Sequence, residues 1–276
     1  SLLRVAIAAV AVSPFVAGRL SRIGDLTRRD WLLVGAIAVV GMFGFTVLLL
    51  YGMRLVSGVV GAIVMGTAPA VTAAAAVLFR DETWNRRKAA AVGLAVAGIV
   101  VVNLDGSLGS SGDRSGTGAL LLGSLLVFGA VCCEAGYTLV GKAASERTDP
   151  VLVVFLACIL SVPLFLVAVL ALELGAFEPG EIGSRGWTTL IAWGAAALGL
   201  GSVLWYRGVR RAEGSVAAGF MGVMPVSALV LSYVLLGEPV RVLHLVGFAA
   251  VFAGVVLMSR EHARGGGDHR HGDSRS

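Results

Sequence analysis

Glu134 is the one carboxylate set well inside an apolar run, Val131-Cys132-Cys133-Glu134-Ala135-Gly136-Tyr137. An ionised carboxylate at mid-membrane costs at least about 2.5 kcal/mol even on the lenient insertion scales, so it should face a protein interior and have a partner there. Two chemistries follow. It binds the ammonium group of a solute, or it takes up and releases a proton as a coupling site. A structural alternative is a Glu near the end of its helix that reaches Lys142 or headgroup water. Tyr137, in the same run, is a candidate lining residue beside it. Pro69 and Pro225 sit inside apolar runs in Met65-Gly66-Thr67-Ala68-Pro69 and Met221-Gly222-Val223-Met224-Pro225. A proline there removes one intrahelical hydrogen bond and clashes with the carbonyl four residues back, which predicts a kink, a free carbonyl and a bend at a cavity to which Thr67 would also contribute.

Other patterns carry no chemistry. Gly136-Tyr137-Thr138-Leu139-Val140-Gly141-Lys142-Ala143 copies the GxxxxGK core of a phosphate loop. It follows no strand, and Ala143 stands where Ser or Thr must hold magnesium. His262, Asp268, His269 and His271 are irregularly spaced in a Gly-rich tail, so no metal is expected. Cys132, Cys133 and Cys158 lie in apolar runs as small packing residues. No cofactor is expected beyond a coupled proton.

The elements that must position these groups follow from composition. Of 276 residues 57% are hydrophobic and 14% charged, too few charges to cover a water-soluble enzyme and too apolar for a disordered chain. Runs long enough to cross a core of about 30 Å are Leu2 to Ala17, Trp31 to Tyr51, Val59 to Phe79, Ala89 to Leu104, Thr117 to Val140, Val151 to Leu172, Trp187 to Tyr206, Val216 to Leu236 and Val242 to Met258. Nine such runs with no period-2 alternation predict an all-α polytopic transmembrane helical bundle. Ala89, Gly93 and Ala97 make a small-residue face suited to close helix contact, within the bundle or in a homodimer. Trp31, Trp187, Trp205 and Tyr206 fall at span ends as interface anchors.

Seventeen of the 22 Lys and Arg residues fall in one set of alternate loops and the tail, which places the C-terminus in the cytoplasm; Arg4 is counted on the other side. Only Lys88 and Lys142 are lysine, and Arg, Ala, Gly and Val abound, a bias that suggests a GC-rich bacterial genome. The expected location is a bacterial plasma (inner) membrane.

An offset of 156 residues pairs Gly52 with Gly208, Gly58 with Gly214, Met65 with Met221, Gly66 with Gly222, Pro69 with Pro225, Glu82 with Glu238 and Gly98 with Gly254, among eleven identities over 49 ungapped positions. The same offset relates loops of opposite sidedness, which predicts two halves inverted in the membrane. Here the sequence resembles the drug/metabolite transporter superfamily with its EamA-type repeat. That repeat has a Pro midway along its fourth helix, a Glu closing it, and two glycines seven apart in the fifth: Pro69, Glu82, position 91 (Ala91 here) and Gly98, then Pro225, Glu238, Gly247 and Gly254. The resemblance implies a first repeat over 1–104, a Gly/Ser linker over 105–116, a second repeat over 117–258 and a disordered cytoplasmic tail over 259–276. The family has ten helices and this chain shows nine runs, so the resemblance predicts one further helix in front, near position −39.

The resemblance implies a secondary transporter moving a small organic solute, an amino acid or related metabolite, by export. It also implies a central cavity lined from the second, third, seventh and eighth spans, where Phe43, Trp193, Phe220 and Met224 join Glu134, Tyr137, Thr67, Pro69 and Pro225. Glu82 and Glu238 are read as caps of the helices that follow. Expected partners are the solute and the bilayer, not nucleic acid, with a homodimer left open. The competing readings are a nonfunctional partial copy and an integral-membrane enzyme. Against the enzyme, the spans hold neither a His pair nor an acidic cluster, and His244 sits at a helix end.

Overall fold

The computed structural model describes residues 1–79, 86–109, 114–172, 183–211, 223–237 and 239–268, and every regular element among them is helical. These are α1 (Leu2–Val16) with a 3-10 extension, α2 (Arg28–Ala36), α3 (Phe45–Met53), α4 (Gly58–Met65), α5 (Ala68–Phe79), α6 (Arg86–Gly109), α7 (Arg114–Arg147), α8 (Pro150–Leu172), α9 (Ser184–Ala192), α10 (Gly201–Arg211), α11 (Val223–Leu236) and α12 (Val242–Asp268). Among the described residues five stretches are apolar and long enough to cross a membrane, and four shorter apolar helices accompany them; each overlaps one of the nine runs read from the sequence. Val10, Leu125 and Val234 are strongly exposed, as side chains that face lipid are.

The offset of 156 recurs in the backbone. Ile37–Gly44 and Trp193–Leu200 are both π-helical, each following a helix of nine residues. Of the expected linker, α6 takes residues to Gly109 and α7 resumes at Arg114. α12 continues to Asp268, over the start of the expected tail. Glu82 and Glu238 lie outside the described residues.

The helices form two compact units, each drawing on both halves of the sequence: Ser1–Thr46 with Gly136–Arg211, and Val47–Ala135 with Ala212–Ser276. In the first, α1 lays Val5, Ala8, Val12 and Val16, one face at helical spacing, against α8 and the second π-helical segment. A Cβ on Gly194 would stand 2.9 Å from the Arg4 carbonyl, and one on Gly199 3.2 Å from that of Ala8. Glycines five apart share a face in an i→i+5 helix, so both let α1 approach. At one end Thr27 and Asp30 form a capping box, and Arg147 Nε meets Asp30 Oδ1 at 2.7 Å. Arg19 Nε meets Asp149 Oδ2 at 3.1 Å while the other carboxylate oxygen accepts the Val151 amide of α8.

In the second unit, α4 supplies Val59, Val60, Ile63 and Val64 to a core shared with Val127, Leu229 and Val251. α6 and α12 pack through the positions of the repeat's glycines. A Cβ on Gly98 would stand 2.7 Å from the Gly247 carbonyl, and one on Gly254 2.9 Å from that of Ala91. The contact face of α6 is therefore Ala91, Ala95 and Gly98, all buried. Gly93 and Ala97, expected to make the close contact, are exposed.

Candidate functional site

The run expected to form one helix around Pro69 is broken into α4 and α5. Pro69 stands second in α5, in the first turn, where its missing amide costs no intrahelical bond; the expected kink is a break two residues ahead of it. At the break the Val64 carbonyl accepts both the Thr67 amide, at 3.0 Å, and the Thr67 hydroxyl, at 2.7 Å. Thr67 is fully buried and serves the backbone. In the other half Pro225 lies in α11, which is described from Val223 onward. Prolines inside helices occur elsewhere among the described residues, at Pro14 in α1 and Pro163 in α8.

This break borders a cavity of about 340 Å³ within the second unit. Each wall is one face of a helix. α3 gives Leu49 and Met53, four apart; α11 gives Ala228, Ser232 and Leu236 at the same spacing; α4 and α5 give a glycine-rich wall ending at Ala68 and Pro69. Small residues on α4 make the room: a Cβ on Gly61 would run into the Met53 thioether.

Among the described residues one charged side chain lines this space, Glu134. α7 presents it from the face that buries Val127, Ala130 and Val131, one to two turns earlier, so the packing that anchors the helix also turns the carboxylate inward. Its Oε2 is buried and accepts no hydrogen bond. Lys142, two turns on along α7, is exposed. The other polar side chain in the lining, Ser232, spends its hydroxyl proton on the Ala228 carbonyl of its own helix, at 2.9 Å. The walls are otherwise hydrocarbon and two thioethers, Met53 and Met65.

Of the residues proposed from sequence, the structure brings Glu134 and Pro69 together at this cavity. Tyr137 belongs to the first unit, where its ring stacks on Tyr206 at 5.4 Å. Phe43 packs on Phe165, ring centroids 5.1 Å apart. Trp193 is half exposed and lies 4.7 Å beneath the Arg4 guanidinium, whose Nη2 donates to Thr46 Oγ1 at 2.7 Å. Phe220 lies outside the described residues, and for Met224 and Pro225 the description covers only the backbone. Met53, Met65 and Ser232 were not singled out for the cavity, although Met65 appears in the repeat. Among the described residues no three His, Cys, Asp or Glu side chains gather as a metal site.

Comparison with known proteins gives this geometry its setting. The EamA-like transporter family matches residues 1–104 and 121–260. Two relatives from Bacillus subtilis (strain 168) are similar: "Uncharacterized transporter YetK", 28% identical over 232 residues, covering 84% of this chain and 69% of the relative, and "Uncharacterized transporter YyaM", 25% identical over 224 residues, covering 81% and 71%. A solved structure titled "Crystal structure of protein" shares the fold at a TM-score of 0.63 and 18% identity, over 95% of this chain and 86% of that one. A match over nearly the whole of a nine-run helical chain leaves one assignment: this chain is a multi-pass membrane protein belonging to the EamA-like transporter family.

Proposed function

We propose that the chain is a secondary transporter that exports a small organic solute, an amino-acid-sized metabolite carrying a protonated amine, across a bacterial inner membrane by alternating access. Glu134 is the observation that carries this reading: a buried carboxylate oxygen with no donor, in the wall of a cavity of about 340 Å³. Such a volume equals roughly ten waters and lies within the range of small-molecule sites. An unpaired buried charge is costly, and either a proton or a cationic solute at that oxygen relieves the cost. Two occupants competing for one carboxylate supply the coupling that proton-driven exchange needs.

Movement has a matching device. The break between α4 and α5 puts a joint in the cavity wall, and halves of opposite orientation rocking about a midplane site are the expected arrangement for such transport. The reading requires no ATP site, no metal and no nucleic acid, and the C-terminus is cytoplasmic in it. Full-length protein in proteoliposomes, screened over amino acids, amines and nucleosides with and without a proton gradient, tests it. A saturable flux that the gradient accelerates is expected; no gradient-sensitive flux for any solute contradicts the proposal.

A further inference from the structure

Resting on the reading of this cavity as the cargo site, we infer that it selects an acid-free organic amine and excludes the free amino acid from which such an amine derives. The grounds are the charges in the wall. Among the described lining residues Glu134 is the one ionisable side chain, and Ser232, the other polar one, has its proton engaged within its own helix. Among the described residues no Lys, Arg or His lines the space. At the start of α5 Pro69 has no amide to donate, and the amide and hydroxyl of Thr67 both go to Val64.

A zwitterionic amino acid entering this space brings two charges. Its ammonium pairs with Glu134. Its carboxylate is then held within a few ångströms of a second carboxylate, against hydrocarbon, with no cationic side chain to meet it, and both desolvation and like-charge repulsion oppose binding. Removing or masking the acid, as decarboxylation, esterification or amidation does, leaves a cation whose single charge is matched by Glu134 and whose apolar body fits the walls. Met53 and Met65 add polarizable sulfur beside it. The cavity is thus complementary to one end of an amino acid and hostile to the other, and specificity here rests on the repulsive element.

Matched pairs test this directly in proteoliposomes of the full chain: labelled phenylalanine against phenethylamine and phenylalanine methyl ester, tryptophan against tryptamine, and leucine against isoamylamine. The amines and the ester are expected to move at least tenfold faster than their parent amino acids, and that preference is expected to disappear in Glu134→Gln and persist in Glu134→Asp. Parent amino acids moving as fast as the amines, or faster, overturn the inference and leave the transporter reading standing. If no member of any pair moves, the cavity is not a site for amines of this size, and the inference falls together with the amine-bearing cargo proposed above.

Discussion

Two carboxylates in this chain, Asp30 and Glu134, have opposite surroundings. Asp30 precedes the apolar run that begins at Trp31 and is saturated with donors: the Thr27 hydroxyl at 2.6 Å, the Thr27 amide at 3.0 Å and Arg147 Nε at 2.7 Å. The Thr27 hydroxyl first, and Arg147 with it, hold its carboxyl well below the usual carboxylate range. A depressed folded value means that its stabilisation is complete above the ordinary carboxylate range and is lost only as pH falls through the depressed value. Asp30→Ala removes the N3 half of the capping box together with the ion pair and is expected to cost about 1 kcal/mol at neutral pH, since the Arg147 side of the pair is partly exposed. Thermal unfolding in detergent as a function of pH checks this: the variant should lose its deficit relative to wild type only in strong acid. Glu134 has the reverse situation, with a buried oxygen and no donor. That residue was legible in the sequence because a lone acid in an apolar run is rare. Ser232, Met53 and Met65 were not, because such side chains are ordinary within apolar helices, and only the folded chain shows which of them border empty space.

Helices α6 and α12 show how packing rather than composition picks the face of an element. α6 carries small residues on two faces, Ala89-Gly93-Ala97 and Ala91-Ala95-Gly98, and spacing alone cannot tell them apart. The structure buries the second, because Gly98 must clear the Gly247 backbone and Gly254 the Ala91 backbone. Gly98→Val should therefore force the two helices apart and cost about 1–3 kcal/mol, as overpacking does. Gly93→Ala, at a position with nothing within 4 Å of an added Cβ, should leave thermal stability unchanged or slightly raised. Melting of the two variants in detergent separates these outcomes. The nine apolar runs were readable because hydrocarbon thickness fixes their minimum length. The helix break ahead of Pro69 and the paired π-helical segments were not: both are changes of backbone hydrogen-bond pattern a few residues long that leave hydrophobicity untouched.

At the scale of the molecule, the apolar runs, the recurrence of element boundaries at an offset of 156 and the family match describe a membrane transporter scaffold. The two compact units each take helices from both halves of the sequence, which a sequence-order division into repeats does not convey. The offset of 156 was visible in the sequence because residue identity is a local property; the cavity was not, because its walls come from segments far apart in the chain. The central claim is that the Glu134 carboxylate is where cargo and proton exchange. Its most direct test is gradient-driven amine flux by Glu134→Gln, measured beside wild type in proteoliposomes across pH 5 to 9. Loss of gradient-driven flux by at least tenfold, with the residual flux independent of pH and the variant as thermally stable as wild type, is the predicted result. Unchanged flux with an unchanged pH profile contradicts the account.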